Sequence, residues 1–370
     1  MHGQVHRDEV RQVNRVIISP EALRKNYQAV KGWVERYGSS LTVVTKALCG
    51  HLESIRVLKE AGVESMGDSR LDNLKLVTES GMEFERWFLR PPHTKELSEV
   101  VAYSDVSLNT ELKIVKNLNA EAEKQDKIHK VVLMVELGDL REGILPGSLV
   151  RLYEDIFHLP NIEILGIGSN LGCISGTVPS ADQLMQLVLY RELLELKFDR
   201  KLPLVSAGSS ATLPFLLQGT VPSQINHYRV GEAILLGTDL INGGIMRGLR
   251  DDGFLLEAEI VEIKEKSLMP SGETLEELVP FNSEEESDHL PGQRGYRALV
   301  TVGELDTEVS SLRPVNPDYR LAGASSDLTV LNVGEEGTTL KLGDSIWFRM
   351  GYSGLVRLMN NKYTSKVIAT

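Results

Sequence analysis

Between residue 41 and about residue 240 the chain repeats one phrase, a short apolar run followed by a turn and an amphipathic helical stretch. The runs cover 41–46, 63–67, 85–90, 105–109, 130–137, 162–170, 204–207 and 226–230, which makes eight. Several are apolar nearly throughout, as in VVLMVEL and IEILGIG, the pattern of parallel strands covered on both faces. The stretches between them carry helical stripes; in 69–80, Leu71, Leu74 and Val77 share one side. Gly62 and Gly81 stand where such helices stop, because glycine accepts the left-handed conformation that closes a helix. Eight strand–helix units predict an α/β fold of the (β/α)8 TIM-barrel type. An open, doubly wound sheet is the competing reading, but it shows fewer repeats.

The flanks obey other rules. NRVIIS precedes a helix over 20–37, with Ser19 as N-cap, Pro20 at its first position and Leu23, Tyr27, Val30 and Val34 as its apolar stripe. After residue 245, runs such as GFLLEAEIVEI, YRALVTVG, RLAGA, DLTVLNV and DSIWFRM alternate with turn residues, and helical stripes vanish. That predicts a second, C-terminal all-β domain. The division expected is 14–243 for the barrel and 244–370 for the β domain, with residues 1–18 able to pack with the latter. Residues 281–289, FNSEEESDH, read as an acidic surface loop.

Composition removes several classes of function. A net charge of −12 without a Lys/Arg run argues against a surface that tracks nucleic-acid phosphates. Two cysteines, Cys49 and Cys173, supply neither a disulfide framework nor a metal site of the zinc type. The opening MHGQVHRDEVRQ is polar, unlike a secretory signal, and nowhere do 18 apolar residues run together. A cytoplasmic enzyme with a small-molecule substrate, and no membrane or nucleic-acid partner, is the expectation.

In such a barrel the reacting groups sit at the carboxyl ends of the strands. Those ends carry Lys46, Arg90, Asn109, Arg141, Asn170, Ser209 with Ser210, and Arg229 followed by Gly231. Lys46 reads either as a lysine snorkelling at a strand terminus or as a half-buried amine that other cations help to keep neutral for imine chemistry. VSAGSSATLPFLLQG is a strand, a small-residue turn and a helix, hence a phosphate site at Ser209 and Ser210 or an ordinary capped turn. Arg229 and Gly231 in YRVGEAILLG suit a ligand approached closely by backbone, or a salt-bridged arginine and a turn glycine. Arg141 in LGDLREG has Asp139 and Glu142 beside it, so a surface ion pair explains it equally well.

Taken in order, VVTKALCGH, LGDLREG, GIGSNLGC, SAGSSATL, YRVGEAILLG and GASSDLTVL resemble the fold-type III pyridoxal 5′-phosphate (PLP) enzymes of the alanine racemase architecture. Within them the chain is most similar to the ornithine racemases, through LGDLREG, RVGE, the GASSD turn and FRMGY. The resemblance implies that Lys46 carries the cofactor as a Schiff base and serves as one of two acid/base groups. Ser210 and Gly231, with Ser209 alongside, would hold the phosphate, Arg229 would face the pyridine nitrogen, and Asn170 would lie near the ring face. Arg141 would meet the cofactor's 3′-oxygen or the substrate carboxylate, with Arg90 a second candidate for anchoring substrate.

One departure matters. The family's opposite-face base is a tyrosine before a glycine early in the β domain, whereas MPSGET has Ser271 there. A serine hydroxyl is no base at neutral pH without an activator. GASSD resembles the Gly-Pro-x-Cys-Asp turn of related basic-amino-acid decarboxylases, which reaches the neighbouring subunit's site. That likeness implies Asp327 as a partner for a distal ammonium and Ser326 in place of the cysteine. Tyr352 matches the tyrosine those enzymes direct at the phosphate. Cys173 is a further candidate for the second face, although it also reads as a small buried hydrophobe. The expectation is a head-to-tail homodimer, free of metal, that inverts the α-carbon of ornithine or another basic amino acid. The alternatives are a decarboxylase on the same scaffold and a non-catalytic PLP-binding protein.

Overall fold

The computed structural model describes residues 14–369 apart from 274, 276–280, 282–289 and 336. The opening MHGQVHRDEVRQ and all but the first residue of the acidic stretch 281–289 therefore lie outside the described residues. The chain divides into two compact units, one running from Pro20 to Asp251 and the other joining Asp252 onward to the strand that leads into Ser19.

In chain order, strand β1 (Arg15–Ile18) is followed by helix α1 (Pro20–Arg36). The strands β2 (Ser40–Val44), β3 (Ser65–Asp68), β4 (Glu85–Phe88), β5 (Val106–Asn109), β6 (His129–Met134), β7 (Ile162–Gly168), β8 (Leu204–Gly208) and β9 (His227–Val230) close into one barrel. Every neighbouring pair is parallel, including β2 with β9, which seals the ring. The helices after them are α2 (Leu52–Glu60), α3 (Leu71–Glu79), α4 (Leu97–Tyr103), α5 (Leu112–Lys124), α6 (Pro146–Ile156), α7 (Ala181–Phe198), α8 (Leu213–Leu217) and α9 (Glu232–Leu236). The eight-fold repeat is thus borne out.

Apolar periodicity forms these helices. Leu23, Tyr27, Val30 and Val34 of α1 are buried, as are Leu71, Leu74 and Val77 of α3. Gly62 and Gly81 follow α2 and α3 at φ +95° and +76°, conformations that a side chain rarely adopts. Helix α7 starts from a capping box in which Ser180 and Gln183 each satisfy the other's backbone amide. Inside the barrel Trp87, Val106, Leu108, Val132 and Met134 form a packed cluster.

The second unit is an eight-stranded sheet built on β10 (Phe254–Ser267), with β11 (Arg294–Val300), β12 (Leu312–Pro314), β13 (Arg320–Ala324), β14 (Thr329–Gly334), β15 (Ser345–Met350) and β16 (Ser365–Ile368). Strand β1 pairs antiparallel with β10 and parallel with β16, so the chain's first strand completes this sheet. Against the expectation that helical stripes end at residue 245, helix α10 (Tyr352–Asn360) follows β15. Its Leu355, Leu358 and Met359 are buried, a stripe at helical spacing that the strand-like DSIWFRM before it conceals.

Two barrel histidines make the fold sensitive to acid. Burial lowers the pKa of His129 from 6.5 to about 4, with Asp105 opposing and Lys127 assisting. His227 falls from 6.5 to about 3 through burial and then the Arg229 charge. Unfolded, each binds a proton near 6.5; folded, neither does until far lower pH. Their stabilisation is therefore present above pH 6.5 and is lost as pH falls through 4 and then 3. Unfolding melts between pH 7 and 4 are expected to show a falling midpoint, with a loss of up to about 3 kcal/mol per histidine, and replacing either by glutamine is expected to flatten the slope.

Candidate active site

Strand β2 ends at Val44, two residues before Lys46, which opens a single 3-10 turn (Lys46–Leu48). That turn is stapled from below. Thr45 donates its amide to Gly67 O at 2.9 Å, and its hydroxyl lies 3.2 Å from Asp68 Oδ2. Asp68 is wholly buried and also accepts from the Arg70 amide at 2.9 Å and from Asn73 Nδ2 at 3.1 Å. Burial raises its carboxyl above the usual range, although the hydrogen bonds from Arg70, Asn73 and Thr45 pull the other way. Lys46 itself is exposed, and among the described residues its amine has no hydrogen-bond or ion-pair partner. Nearby Glu232 has its carboxyl raised by burial, an effect that Thr238 and the Lys46 charge oppose.

Arg229 ends up on β9 with its guanidinium buried. Nη1 donates to Ser206 O at 2.8 Å and to Ser206 Oγ; Nη2 donates to Ser169 O at 3.0 Å and Asn170 Oδ1 at 2.7 Å. Burial brings its pKa down to about 10, with Glu142 opposing and Arg141 assisting. All four bonds go through Nη1 and Nη2, so Nε–H remains without a partner among the described residues. Asn170 is thereby fixed by Arg229 on one side, while its Nδ2 donates to Glu142 Oε1 on the other.

Glu142 is the hub of the next layer. It pairs with Arg141 through Nε and, at 2.5 Å, through Nη2. Its side chain is only 12% exposed, so the surface reading of this pair fails. Burial disfavours the Arg141 charge, but Glu142 and then Cys173 outweigh it, and the guanidinium is raised above its ordinary value. Arg141 Nη1 donates to Cys173 Sγ at 3.0 Å. Asp139 accepts the Cys173 and Ile174 amides at 3.1 and 3.3 Å, tying the loop after β6 to the loop after β7. Cys173 is exposed rather than a small buried hydrophobe.

Ser209 and Ser210 follow β8. Ser209 donates its amide to Thr212 Oγ1 at 2.6 Å, but its own Oγ is buried with no partner among the described residues. Ser210 Oγ accepts from the Ala233 amide at 3.2 Å, which joins this turn to the start of α9. Gly231 lies so close to β2 that a Cβ there would come within 3.0 Å of Val44 O. Gly208 is equally constrained, since a Cβ would sit 2.1 Å from the Tyr228 ring.

The remaining expectations fare differently. Arg90 donates to Ser69 O at 2.8 Å and pairs with Glu96 at 2.9 Å, so its charge is met within its own loop. Asn109 folds back on Ser107, leaving its Oδ1 buried and unpaired. Ser326 and Asp327 belong to the β unit, at the exposed tip between β13 and β14. That tip is pinned by Leu305 N to Ser326 O at 2.8 Å. Tyr352 opens α10, and Ser271 lies exposed in a bend after β10. Asp68, Ser206 and His227 were not singled out from the sequence. A small polar residue or histidine facing inward from an apolar strand is the signal that marks them.

Residues 18–239 match the family described as alanine racemase, N-terminal domain. The chain belongs to the alanine racemase family. It is 35% identical to the ornithine racemase of Acetoanaerobium sticklandii over 95% of this chain and 98% of that protein. To the lysine racemase of Thermotoga maritima it is 32% identical over the same shares. In fold it resembles the alanine racemase of Bartonella henselae solved with covalently bound pyridoxal phosphate, with a TM-score of 0.70 at 14% identity, over 96% of this chain and 99% of that one. No helix is long and apolar enough to cross a membrane, and no metal-binding group of His, Cys, Asp or Glu occurs, among the described residues of this alanine racemase relative.

The hub can be tested for what it supports. Glu142→Ala is expected to leave Arg141 and Asn170 unsatisfied and to cost roughly 1–3 kcal/mol in chemical unfolding. Glu142→Gln keeps one acceptor and is expected to lose clearly less.

Proposed function

We propose that this chain is a PLP-dependent racemase of free basic amino acids, with ornithine first among them. Arg229 carries the reading. A guanidinium only donates, and the one donor left over, Nε, suits a ring nitrogen that only accepts. The buried, unpaired Ser209 hydroxyl beside Ser210 and Gly231 suits a phosphate. Lys46 offers a primary amine that no neighbour competes for. These residues fit PLP, and the curated relatives named for ornithine and lysine narrow the substrate class.

When bound, PLP makes the α-carbon acidic by delocalising the charge left behind when a proton departs. The rest belongs to the chain. Lys46 holds the cofactor and takes or returns the α-proton on one face. Ser210 and Gly231, with Ser209, would hold the phosphate. Arg229, a donor only, would disfavour a protonated ring nitrogen and so would make the ring a weaker electron sink, limiting side reactions. Asn170, fixed between Arg229 and Glu142, would lie against the ring. Arg141, oriented by Glu142, binds the cofactor's 3′-oxygen or the substrate carboxylate, a part for which Arg90 is unsuited by its pairing with Glu96. On the second face, Cys173 is the candidate within the barrel unit, because Arg141 directs its sulfur. Ser326 is the candidate within the β unit. We take the enzyme to be a cytoplasmic head-to-tail homodimer in which the partner's exposed β13–β14 turn supplies Asp327 for the distal ammonium.

Borohydride reduction of the holoenzyme, followed by peptide mapping, is expected to label Lys46. Lys46→Ala is expected to remove both the label and at least about a thousandfold of the racemase rate. Label on another lysine overturns the assignment. Chiral chromatography after incubation with L-ornithine, L-lysine, L-alanine and L-serine is expected to give D-enantiomer from the basic pair. Carbon dioxide release without any D-enantiomer would mean a decarboxylase. In deuterium oxide, Cys173→Ala is expected to abolish α-exchange from one enantiomer only; loss from both, or from neither, removes Cys173 from the reaction.

A further inference from the structure

Beneath Arg229 a chain of polar side chains runs through the barrel. Ser206 Oγ, which accepts from Arg229 Nη1, lies 2.7 Å from His227 Nδ1. His227 Nε2 is 2.9 Å from Thr42 Oγ1, and Thr42 Oγ1 is 2.8 Å from Ser65 Oγ. Ser65 in turn donates to Glu85 Oε2 at 3.3 Å. Arg229 stands near the carboxyl end of β9, whereas Ser65 and Glu85 are the first residues of β3 and β4. The chain therefore links the catalytic end of the barrel to its opposite rim. Ser206, His227 and Thr42 are buried in an otherwise apolar interior, and Glu85 is exposed.

The carboxylate end sets the direction of the protons, and the arginine end is compatible with it. Arginine only donates, so Ser206 accepts from it and keeps its own proton to give to His227 Nδ1. A carboxylate only accepts, so Ser65 donates to Glu85, Thr42 donates to Ser65, and Thr42 must accept from His227 Nε2–H. With Nε2–H committed to Thr42, a neutral imidazole has Nδ1 left as an acceptor for the Ser206 proton, and the chain closes with one tautomer, protonated at Nε2 alone. Trp87 holds that ring in place. It stacks on His227 with centroids 4.4 Å apart and donates Nε1–H to the same Glu85 oxygen at 2.9 Å. Among the described residues Arg229 has no carboxylate bonded to it directly, and Glu85 stands at the end of this path.

We propose that Arg229, Ser206, His227, Thr42, Ser65 and Glu85 form a one-directional hydrogen-bond relay, in which His227 and Ser206 are positioning residues that aim the Arg229 guanidinium at its ligand. The relay's link to catalysis rests on the function proposed above; its direction does not. A neutral histidine suits the middle because it accepts at one nitrogen and donates at the other. Glutamine can do the same, and leucine can do neither.

Two-bond 1H–15N correlation spectra of the cofactor-free protein, labelled at histidine and assigned with His227→Gln, read the tautomer. The expected result is Nε2–H at neutral pH. An Nδ1–H or charged ring overturns the relay whatever the enzyme's activity. In the holoenzyme, His227→Leu and Ser206→Ala are expected to shift the cofactor's absorbance band and lower kcat about tenfold with little change in KM, whereas His227→Gln stays near wild type. If His227→Leu does not fold, Ser206→Ala carries the comparison. Variants that unfold more easily but keep the wild-type band and kcat would make the chain a structural feature only, and the positioning role would fail.

Discussion

A positive charge enclosed by the barrel, with no negative charge among the described residues bonded to it, governs much of the surrounding structure. Moving a guanidinium out of water is costly unless its donors are satisfied. Arg229 meets that demand with two carbonyl oxygens, one hydroxyl and one amide oxygen, drawn from β8 and from the segment after β7. Those acceptors are in reach only if β7, β8 and β9 keep their parallel register. Closing the barrel and solvating the arginine are thus the same act. The arrangement also explains why Asn170 is rigid, since its amide oxygen serves Arg229 while its nitrogen serves Glu142.

Around that charge, some polar groups are satisfied within the chain and others are not; Asn109 Oδ1, Ser169 Oγ and Tyr228 Oη are buried without partners among the described residues. Asp68, Asn73, Thr45, Asp139 and Glu142 have their hydrogen bonds met within the chain and shape the loops. The Lys46 amine, Arg229 Nε and Ser209 Oγ do not. A buried hydroxyl without a partner costs on the order of 1–3 kcal/mol, so retaining one at a strand end makes sense where a ligand completes it. Lys46, Arg229 and Ser209 thus offer an amine, a donor for a ring and a hydroxyl for an anion, which together suit the family's cofactor.

Much of this was legible in the sequence because the fold writes itself at short range. Apolar runs at strand length and stripes at helical spacing made the eight units readable, and the carboxyl-end rule then picked out Lys46, Asn170, Ser210 and Arg229. What remained hidden depends on long-range meetings. Thr42 and His227 lie 185 positions apart, and Arg229 and Ser169 lie 60 apart, so no local pattern announces their contact. Arg90 was a reasonable anchor by position, yet Glu96, six residues on, claims its charge. Helix α10 was missed because the strand-like run before it drew attention from Leu355, Leu358 and Met359.

The absence of a direct carboxylate at Arg229 bears on which reaction the site favours. A carboxylate at a pyridine nitrogen would stabilise a protonated ring and a strong electron sink, suited to reactions that need a long-lived carbanion. A guanidinium does the reverse, provided it stays charged and keeps a donor pointed at the ring. Burial works against the charge and draws the pKa of Arg229 down to about 10, which still leaves the group protonated at neutral pH. Neutral acceptors permit this without cancelling the field, as a bonded carboxylate would. A racemase has only to remove a proton and return one, so a short-lived carbanion is enough, and a weaker sink protects it from competing bond cleavage. The electrostatics of one buried side chain thus argue for the same chemistry as the curated relatives' names.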